Sequence, residues 1–338
     1  MHIENNPPLL DIRDLKVSFP SSSGHIYPVD GVSLAIKKGE TLGLVGESGS
    51  GKSMTSLAVM GLVPRPHGRI CGGSILFKGR NLTEFTNEEM MMIRGKDISM
   101  IFQEPMTSLN PVYTVGDQIV EGILAHGAMS KRQARDRAVE MLTKVGIPAP
   151  EKRVDSYPHL LSGGMRQRVM IAMALALDPE LLIADEPTTA LDVTIQAQIL
   201  DLMEGLKKER TMSVLLITHN LGIVAEAAQR VAVMYAGRIL ELAPTGMLFG
   251  QPLHPYTRGL LSSIPRMEER VRTLKAIPGM VPSLESLPSG CKFRNRCVFA
   301  EDACGKEEPP FLEAEPGHFV RCRRWSELRA PQEGGRTE

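Results

Sequence analysis

Apolar and polar positions alternate along most of the chain in a pattern of short strands and helices. Short apolar runs at residues 41–45, 181–184 and 214–218 are typical of buried parallel strands, and helix-like stretches lie between them. Helical periodicity dominates residues 115–125 and 131–145, with Ser130 predicted to cap the second of these helices. The alternation predicts an α/β fold with a mostly parallel sheet and helices on both faces.

Changes in this pattern divide the chain into four expected segments. Residues 1–106 form the first part of an α/β core, and residues 107–165 form a helical subdomain. Residues 166–250 return to the core. Prolines multiply after position 252, so residues 251–338 are predicted to form a loop-rich extension.

Composition and charge argue against nucleic-acid-binding, secreted and membrane-spanning classes of protein. The chain has 338 residues, of which 42% are hydrophobic, and Lys+Arg and Asp+Glu both total 39. This balance gives no basic excess for binding nucleic acid, and none is expected as a partner. The first residues are polar, so no secretion signal is expected, and no run reaches the ~18 apolar residues that span a bilayer. Work at a membrane would therefore need other subunits.

A phosphate-binding loop follows the strand at 41–45. The segment fits G-x-x-x-x-G-K-[ST], a pattern whose glycines let backbone N–H groups surround phosphate oxygens ahead of a helix N-terminus. Lys52 is expected to reach the β- and γ-phosphates, and Ser53 to hold Mg²⁺. A chance match would occur in roughly one chain in a hundred of this length, but here the required strand and helix flank the motif. The predicted cofactor-binding residues are Gly46, Glu47, Ser48, Gly49, Ser50, Gly51, Lys52 and Ser53.

Two carboxylates end the strand at 181–184. Asp185 and Glu186 would point into the ligand crevice at the carboxyl end of a parallel sheet. Asp185 suits Mg²⁺, and Glu186 suits a general base that activates water. Solvated acids at an ordinary strand exit are the alternative.

A second candidate anion site precedes the helical stretch at 166–177. Ser162, Gly163 and Gly164 place a capping hydroxyl and two glycines before a helix. One triphosphate does not need two such sites in one chain. Two chains facing each other head to tail would use both, and a plain helix cap is the alternative.

With these motifs in order, residues 9–245 resemble the ABC ATPase family, whose signature is usually Leu-Ser-Gly-Gly-Gln. Met165 replaces the last residue, a departure usual in the peptide-importer branch. The resemblance implies a P-loop NTPase core and a head-to-tail ATPase pair. It also implies that the chain hydrolyses ATP, because the family's catalytic positions are all present: Lys52, Gln103, Asp185, Glu186 and His219.

Single residues gain roles from the resemblance. Gln103 matches the glutamine that contacts Mg²⁺ or water and couples to a membrane subunit. Asp192 matches a loop that crosses the dimer interface, and His219 matches the histidine that contacts the γ-phosphate. Phe19 matches the aromatic residue on which adenine stacks, with Tyr27 as the alternative.

The extension carries further chemistry. Residues 254–261 are similar to the segment that follows the core of peptide-importer ATPases. Cys291, Cys297, Cys304 and Cys322 could bind Zn²⁺ or a [4Fe–4S] cluster. Paired C-x-x-C knuckles are absent, which favours the cluster, and resemblance to dipeptide-importer ATPases implies the same. Four unliganded thiols are the alternative.

Two other side chains carry structural expectations. Cys71 is predicted to be a small buried residue, with a fifth ligand as the alternative. His318 is predicted to lie at the surface, with a substitute ligand as the alternative. Five basic residues near the cysteines could offset the charge of either metal site: Lys292, Arg294, Arg296, Arg321 and Arg323.

The function that follows is an ATP- and Mg²⁺-dependent subunit that energises import of dipeptides or oligopeptides. Two membrane permeases, a second and paralogous ATPase and, indirectly, a substrate-binding protein are the expected partners. The expected location is the cytoplasmic face of the inner membrane, bound peripherally. The alternatives are a non-transport ABC ATPase acting on DNA or ribosomes, a motor for nickel chelates or glutathione, and a cysteine module that senses redox state or iron.

Overall fold

The computed structural model describes residues 7–22, 24–103, 108–127, 129–187, 193–263 and 277–329. Within these ranges no helix combines the length and apolar character needed to cross a membrane. The strands are β1 Leu10–Ser21, β2 Gly24–Ile36, β3 Thr41–Val45, β4 Arg69–Phe77, β5 Arg80–Asn81, β6 Ile98–Ile101, β7 Leu181–Asp185, β8 Ser213–Ile217, β9 Arg230–Tyr235, β10 Arg238–Pro244, β11 Leu312–Glu315 and β12 His318–Val320.

The strands form two sheets. The smaller sheet has the order β2-β1-β4-β5 and is antiparallel, whereas the larger has the order β11-β12-β10-β9-β3-β8-β7-β6. Its five strands from β9 to β6 run parallel. The predicted α/β class with a mostly parallel core is confirmed.

The larger sheet is buried on both faces. Along β7, Leu181 and Ile183 belong to one core cluster, while Leu182 and Ala184 belong to the other. The continuous apolar runs of the sequence reflect this double burial. The helices that cover the sheet and form the helical region are α1 Lys52–Val59, α2 Asn87–Ile93, α3 Val115–Ala125, α4 Lys131–Lys144, α5 Pro150–Arg153, α6 Gly163–Leu175, α7 Val193–Arg210, α8 Leu221–Ala227, α9 Thr245–Gly250, α10 Pro255–Ser262 and α11 Trp325–Arg329.

Local helix signals agree with the structure. Ser130 caps α4: its hydroxyl accepts a hydrogen bond from the N–H of Gln133, and the Gln133 side chain accepts one from the N–H of Ser130. Helix α6 begins three residues before the predicted stretch, because Ser162 caps it and both signature glycines lie in its first turn.

The extension joins the main sheet rather than only following it. Strand β12 pairs with β10, with Glu241 opposite Val320, and β11 pairs with β12 at the edge. The sequence predicted neither strand, because each spans at most four residues. The predicted surface position of His318 is wrong, since this residue is 1% exposed. Cys71, predicted to be buried, is exposed.

Glu241 is the acceptor that holds the extension to the sheet. Its carboxylate is fully buried and accepts hydrogen bonds from the N–H groups of Leu253 at 2.7 Å and His254 at 2.9 Å. Its Oε1 also lies 2.7 Å from Nε2 of His318. A buried carboxylate without such donors would be strongly unfavourable, which explains why the histidine is drawn inside.

Glu241→Gln is expected to destabilise the protein by about 1–3 kcal/mol, because an amide NH₂ would replace one acceptor oxygen and face a donor. Thermal unfolding of the variant should show a midpoint several degrees below that of the parent. Glu226→Gln, the same change at an exposed helix position, is the control. Equal midpoints for the parent and Glu241→Gln would contradict this role.

Candidate functional site

Four parallel strands deliver the predicted site residues to one edge of the sheet. Strands β3, β8, β7 and β6 are neighbours in this order. The phosphate-binding loop follows β3, Gln103 follows β6, Asp185 ends β7, and His219 follows β8. The carboxyl ends of parallel strands commonly form the ligand crevice of an α/β fold.

The glycines of the loop are required by close backbone contacts. A Cβ atom at Gly46 would lie 2.1 Å from the carbonyl oxygen of Met234, and one at Gly51 would lie 2.2 Å from that of Pro28. Gly51, with a φ of 106°, opens α1, and no side chain caps this helix. Its first N–H groups are therefore available to an anion.

Lys52 lies buried inside the loop. Its ammonium group donates to the carbonyl oxygens of Gly46 at 2.8 Å and Glu47 at 3.0 Å, and Oγ of Ser50 lies 3.4 Å away. Burial lowers the pKa of Lys52, while the neighbouring carboxylates, foremost Glu186 and Asp185, act in the opposite direction. A buried ammonium group held by neutral oxygens of the loop is suited to phosphate oxygens.

Asp185 offers a free buried oxygen next to Ser53. Its side chain is hydrogen-bonded to Ser53, whereas Oδ1 has no hydrogen-bond partner among the described residues. Burial raises the pKa of this carboxyl group, and the hydrogen bond from Ser53 partly offsets the effect. Carboxylate and hydroxyl oxygens are hard ligands of the kind that Mg²⁺ binds beside phosphates, so this pair fits the ion.

Two other predicted catalytic side chains contact the carboxylate of Glu186. Nε2 of Gln103 donates to its Oε2 at 3.2 Å, and Nδ1 of His219 lies 3.1 Å from its Oε1. Glu186 has a φ of 49°, a left-handed conformation that costs energy in a non-glycine residue. Its N–H donates to the carbonyl of Ile217 on β8 at 2.8 Å, which holds the backbone in this conformation. The carboxylate is thereby aimed at the crevice between Gln103 and His219.

The signature segment faces solvent at the start of α6. Ser162 accepts a hydrogen bond from the N–H of Met165 at 3.3 Å, and both Ser162 and Gly163 are exposed. Gln167, one turn further along, is buried and donates from Nε2 to the carbonyl oxygen of Pro187 at 2.5 Å. This bond links the signature helix to the residue that follows Glu186, a connection the sequence did not predict.

The aromatic candidates for adenine stacking occupy different surroundings. Phe19 is half-buried and packs on Gly68, where a Cβ atom would lie 2.6 Å from the ring. Tyr27 is 38% exposed, and its neighbour Pro28 contacts Gly51 of the phosphate-binding loop. Asp192, the predicted interface residue, lies outside the described residues.

The four clustered cysteines surround one small cavity of ≈ 20 Å³. Apolar side chains, one histidine and three arginines complete its wall: Pro255, Phe293, Phe299, Pro309, Leu328, His254, Arg294, Arg323 and Arg324. Tight turns bring the cysteines together, and the N–H of Cys291 donates to the carbonyl of Cys304 at 2.8 Å. Burial raises the pKa of Cys291 to about 12 and that of Cys322 to about 11. Burial therefore disfavours the thiolate form of these two cysteines.

A metal ion would have to change this arrangement. In the part of the chain that the structure describes, no group of three or more His, Cys, Asp or Glu residues is placed to hold a metal ion. Tetrahedral zinc needs four thiolates about 3.8 Å apart, given a Zn–S bond of ~2.3 Å. Four thiols around one cavity match the donor chemistry of an iron–sulfur cluster, but the cavity would have to widen to admit it.

Two basic residues near the cysteines have other partners. Lys292 donates to Asp30 at 2.7 Å, and Arg296 pairs with Glu47. Tyr256, of the predicted 254–261 segment, accepts a hydrogen bond from the N–H of Glu47. The sequence does not predict these contacts, because more than 200 residues separate the partners along the chain.

Models of known families match both regions of the chain. The model described as ABC transporter covers residues 29–189. The model described as oligopeptide/dipeptide transporter, C-terminal region, covers residues 240–304.

Relatives match nearly the full length. The oligopeptide transport ATP-binding protein AppD of Bacillus subtilis is 54% identical over 96% of this chain and 99% of its own length. The dipeptide transport ATP-binding protein DppD of the same organism is 51% identical, with 93% and 94% covered. Among solved structures, the dimeric ATP-binding cassette MJ0796 bound to ADP and Pi superposes with a TM-score of 0.64 at 28% identity. That match covers 70% of this chain and 98% of the cassette.

Proposed function

The chain belongs to the ABC transporter family, among the ATP-binding subunits of peptide importers, and we propose that the strand-end site binds and hydrolyses ATP to drive this import. The convergence of Gln103 and His219 on Glu186, beside the phosphate-binding loop, carries the assignment. Along the chain, Gln103 lies 83 positions and His219 lies 33 positions from Glu186. Their meeting at one carboxylate is what a water-activating centre requires.

We propose that the triphosphate lies along the loop from Gly46 to Ser53 and over the N-terminus of α1. Lys52 exchanges its loop carbonyls for phosphate oxygens. Asp185 and Ser53, with Gln103, would hold a Mg²⁺ ion, which would neutralise phosphate charge. The half-buried Phe19 stacks on adenine, and Tyr27 is the alternative.

Hydrolysis is assigned to Glu186 as general base. Its carboxylate accepts a proton from the attacking water, and His219 orients the carboxylate and reaches the γ-phosphate. The hydrogen bond from Gln103 limits the rotation of the carboxylate. Each group therefore acts from a fixed position at the end of a buried strand.

We propose a head-to-tail pair in which the exposed Ser162 and Gly163 of one ATPase face the nucleotide of the other. The exposed N-terminus of α6 is available for this contact, and Asp192 would lie at the same interface. The second ATPase is proposed to be a paralogue. In this arrangement Gln167 would connect the signature helix of each subunit to its own Pro187, next to Glu186.

The pair is proposed to dock on two membrane permeases at the cytoplasmic face of the inner membrane. A substrate-binding protein would deliver peptide from the other side. The four predicted segments, 1–106, 107–165, 166–250 and 251–338, are retained as the domain division. The test is uptake of a labelled dipeptide or oligopeptide, supplied outside with the binding protein, into right-side-out proteoliposomes that hold the full complex and enclose ATP. Uptake that persists without this subunit would contradict the assignment.

Other substrates and roles make different predictions. Uptake of nickel chelates or glutathione, but not peptides, would keep the motor and change its cargo. Co-purification with DNA or ribosomes instead of permeases would support a non-transport ATPase. The balanced charge of 39 basic and 39 acidic residues does not favour that role.

We propose that Cys291, Cys297, Cys304 and Cys322 hold a [4Fe–4S] cluster. The support is that all four thiols line one cavity, together with apolar side chains, one histidine and three arginines. A cluster would also offset the burial that disfavours the thiolates. A sensor role for this module would make ATPase activity change on reduction.

Anaerobic purification is expected to yield about four irons and four sulfides per chain, with a broad visible absorption band. Cys297→Ser should lose most of the iron and the colour. Cys71→Ser, a change at the exposed cysteine outside the cluster, is the control. One zinc per chain without sulfide, or no metal at all, would overturn the cluster and leave the ATPase site untouched.

A further inference from the structure

Glu47 is the only carboxylate within the phosphate-binding loop, and the extension holds it at two points. Arg296 forms a two-pronged ion pair with its carboxylate, with Nη1 2.5 Å from Oε2 and Nη2 3.0 Å from Oε1. The hydroxyl of Tyr256 accepts a hydrogen bond from the N–H of Glu47 at 2.9 Å. Both the backbone and the side chain of this loop residue therefore depend on residues after position 250.

Arg296 is itself rigidly placed. Its side chain is 5% exposed, and Nε donates to the carbonyl of Pro278 at 2.9 Å. Its guanidinium group lies 5.8 Å from the centre of the Tyr235 ring and 6.0 Å from that of Phe293. A planar guanidinium held in this way presents a fixed fork to a carboxylate.

Tyr256 belongs to the same aromatic cluster. It is fully buried, and its ring lies 4.8 Å from Tyr235 and 5.3 Å from Phe293. Tyr235 ends β9, beside the Met234 carbonyl that packs on Gly46. The cluster thus joins the main sheet, the extension and the phosphate-binding loop in one packed unit.

The ion pair with Arg296 also neutralises the negative charge of Glu47 in the phosphate-binding loop. A free carboxylate at the second position of a phosphate-binding loop would repel the triphosphate. Pairing with Arg296 neutralises Glu47 and holds it toward the extension. Loss of the arginine would leave the loop less ordered and more negative.

We propose that Arg296 and Tyr256 are positioning residues for the phosphate-binding loop, so that the extension sets the affinity of the site for ATP. Neither residue touches nucleotide in this proposal, and both act through Glu47. The proposal rests on the ATP-binding function proposed above. It assigns the extension a direct part in that function, independent of any metal that the cysteines hold.

The test measures ATP hydrolysis and equilibrium binding of a fluorescent ATP analogue in the full chain. Arg296→Gln is expected to raise KM and the dissociation constant about tenfold, the equivalent of one lost charged hydrogen bond, with kcat changed less than about twofold. Arg296→Lys should give a smaller rise, because lysine cannot form the two-pronged pair. Tyr256→Phe, which keeps the packed ring, should raise both constants by roughly threefold.

The distinctive result is rescue by a second change. In Glu47→Gln/Arg296→Gln, no unpaired carboxylate faces the phosphates, and affinity should recover to within about threefold of the parent. A purely structural role for Arg296 predicts no recovery. Arg329→Gln, which breaks a partly exposed ion pair with Glu315 elsewhere in the extension, is the matched control.

The outcomes separate the two proposals. Failure of the parent to bind ATP would overturn the proposed function and this inference together. A parent that binds ATP, with Arg296→Gln binding equally well or with no recovery in the double variant, would overturn the inference alone. If Arg296→Gln fails to fold, KM and the dissociation constant of Arg296→Lys and Tyr256→Phe test the inference instead. Parental values in both variants would overturn it.

Discussion

Glu186→Gln is expected to lower kcat for ATP hydrolysis by about 10²–10⁴-fold, the usual contribution of a general base. The amide keeps the size of the side chain but cannot accept a proton from water. In the parent, Gln103 and His219 hold the Glu186 carboxylate by hydrogen bonds of 3.2 and 3.1 Å. The amide of the variant can still accept one of these two bonds. The geometry of the site should therefore survive while its chemistry is lost.

The affinity of this variant for ATP is not expected to fall with kcat. Removing one negative charge beside the phosphates should leave ATP affinity unchanged or raise it. Because ATP is no longer turned over, the variant should accumulate as a nucleotide-bound pair with the second ATPase. Size-exclusion chromatography with ATP and Mg²⁺ would detect this pair.

Glu180→Gln provides the matched control for this change. Glu180 immediately precedes β7, at the end opposite to Glu186, and pairs with Lys78 at the surface. Its loss should leave kcat within about twofold of the parent, because exposed ion pairs contribute little. Parental hydrolysis by Glu186→Gln would remove Glu186 as the base and point to another group in the crevice.

The strength of the sequence prediction differs between local and distant features. The phosphate-binding loop, the carboxylates after β7 and the cap at Ser130 are encoded within a few residues each, and local sequence rules suffice to find them. Helix α3 was predicted with the bounds it has in the structure, because its apolar positions repeat strongly. These features place the nucleotide site on the fold without coordinates.

Contacts between distant residues are a different case. The ion pair of Arg296 with Glu47 spans 249 positions, and that of His318 with Glu241 spans 77. No periodicity distinguishes a buried, paired arginine or histidine from a solvated one. The sequence therefore predicted His318 at the surface, and it counted Arg296 only as positive charge for the cysteines. Burial of a charged group depends on a partner that the fold alone supplies.

The extension illustrates the same limit at the level of secondary structure. Strands β11 and β12 are four and three residues long, too short for a pattern of alternation. They form because β10 offers an open edge, and the buried Glu241 on β10 draws in His318. The predicted loop-rich character is correct for much of the extension, but its attachment to the sheet follows from tertiary contacts.

Lys52→Met is expected to weaken ATP binding by at least about 100-fold, because in the proposed complex the ammonium group donates charge-assisted hydrogen bonds to two phosphates. Methionine preserves the apolar stem of a side chain that is only 6% exposed. The change also removes a desolvated charge whose partners are neutral carbonyl and hydroxyl oxygens. The folded state without nucleotide should therefore keep most of its stability.

Thermal unfolding with and without ATP distinguishes a loss of ATP binding from a loss of folding stability in Lys52→Met. ATP at about 100 times its dissociation constant stabilises a folded protein by ~2.7 kcal/mol, so the parent should unfold at a clearly higher temperature with ATP and Mg²⁺ than without them. Lys52→Met should unfold near the parental temperature without nucleotide and show almost no shift with it. Lys78→Ala, at an exposed lysine paired with Glu180, should retain the full shift. A full shift in Lys52→Met would mean that the backbone N–H groups of the loop and of α1 bind the triphosphate without the lysine, and that its ammonium group serves only to close the empty loop.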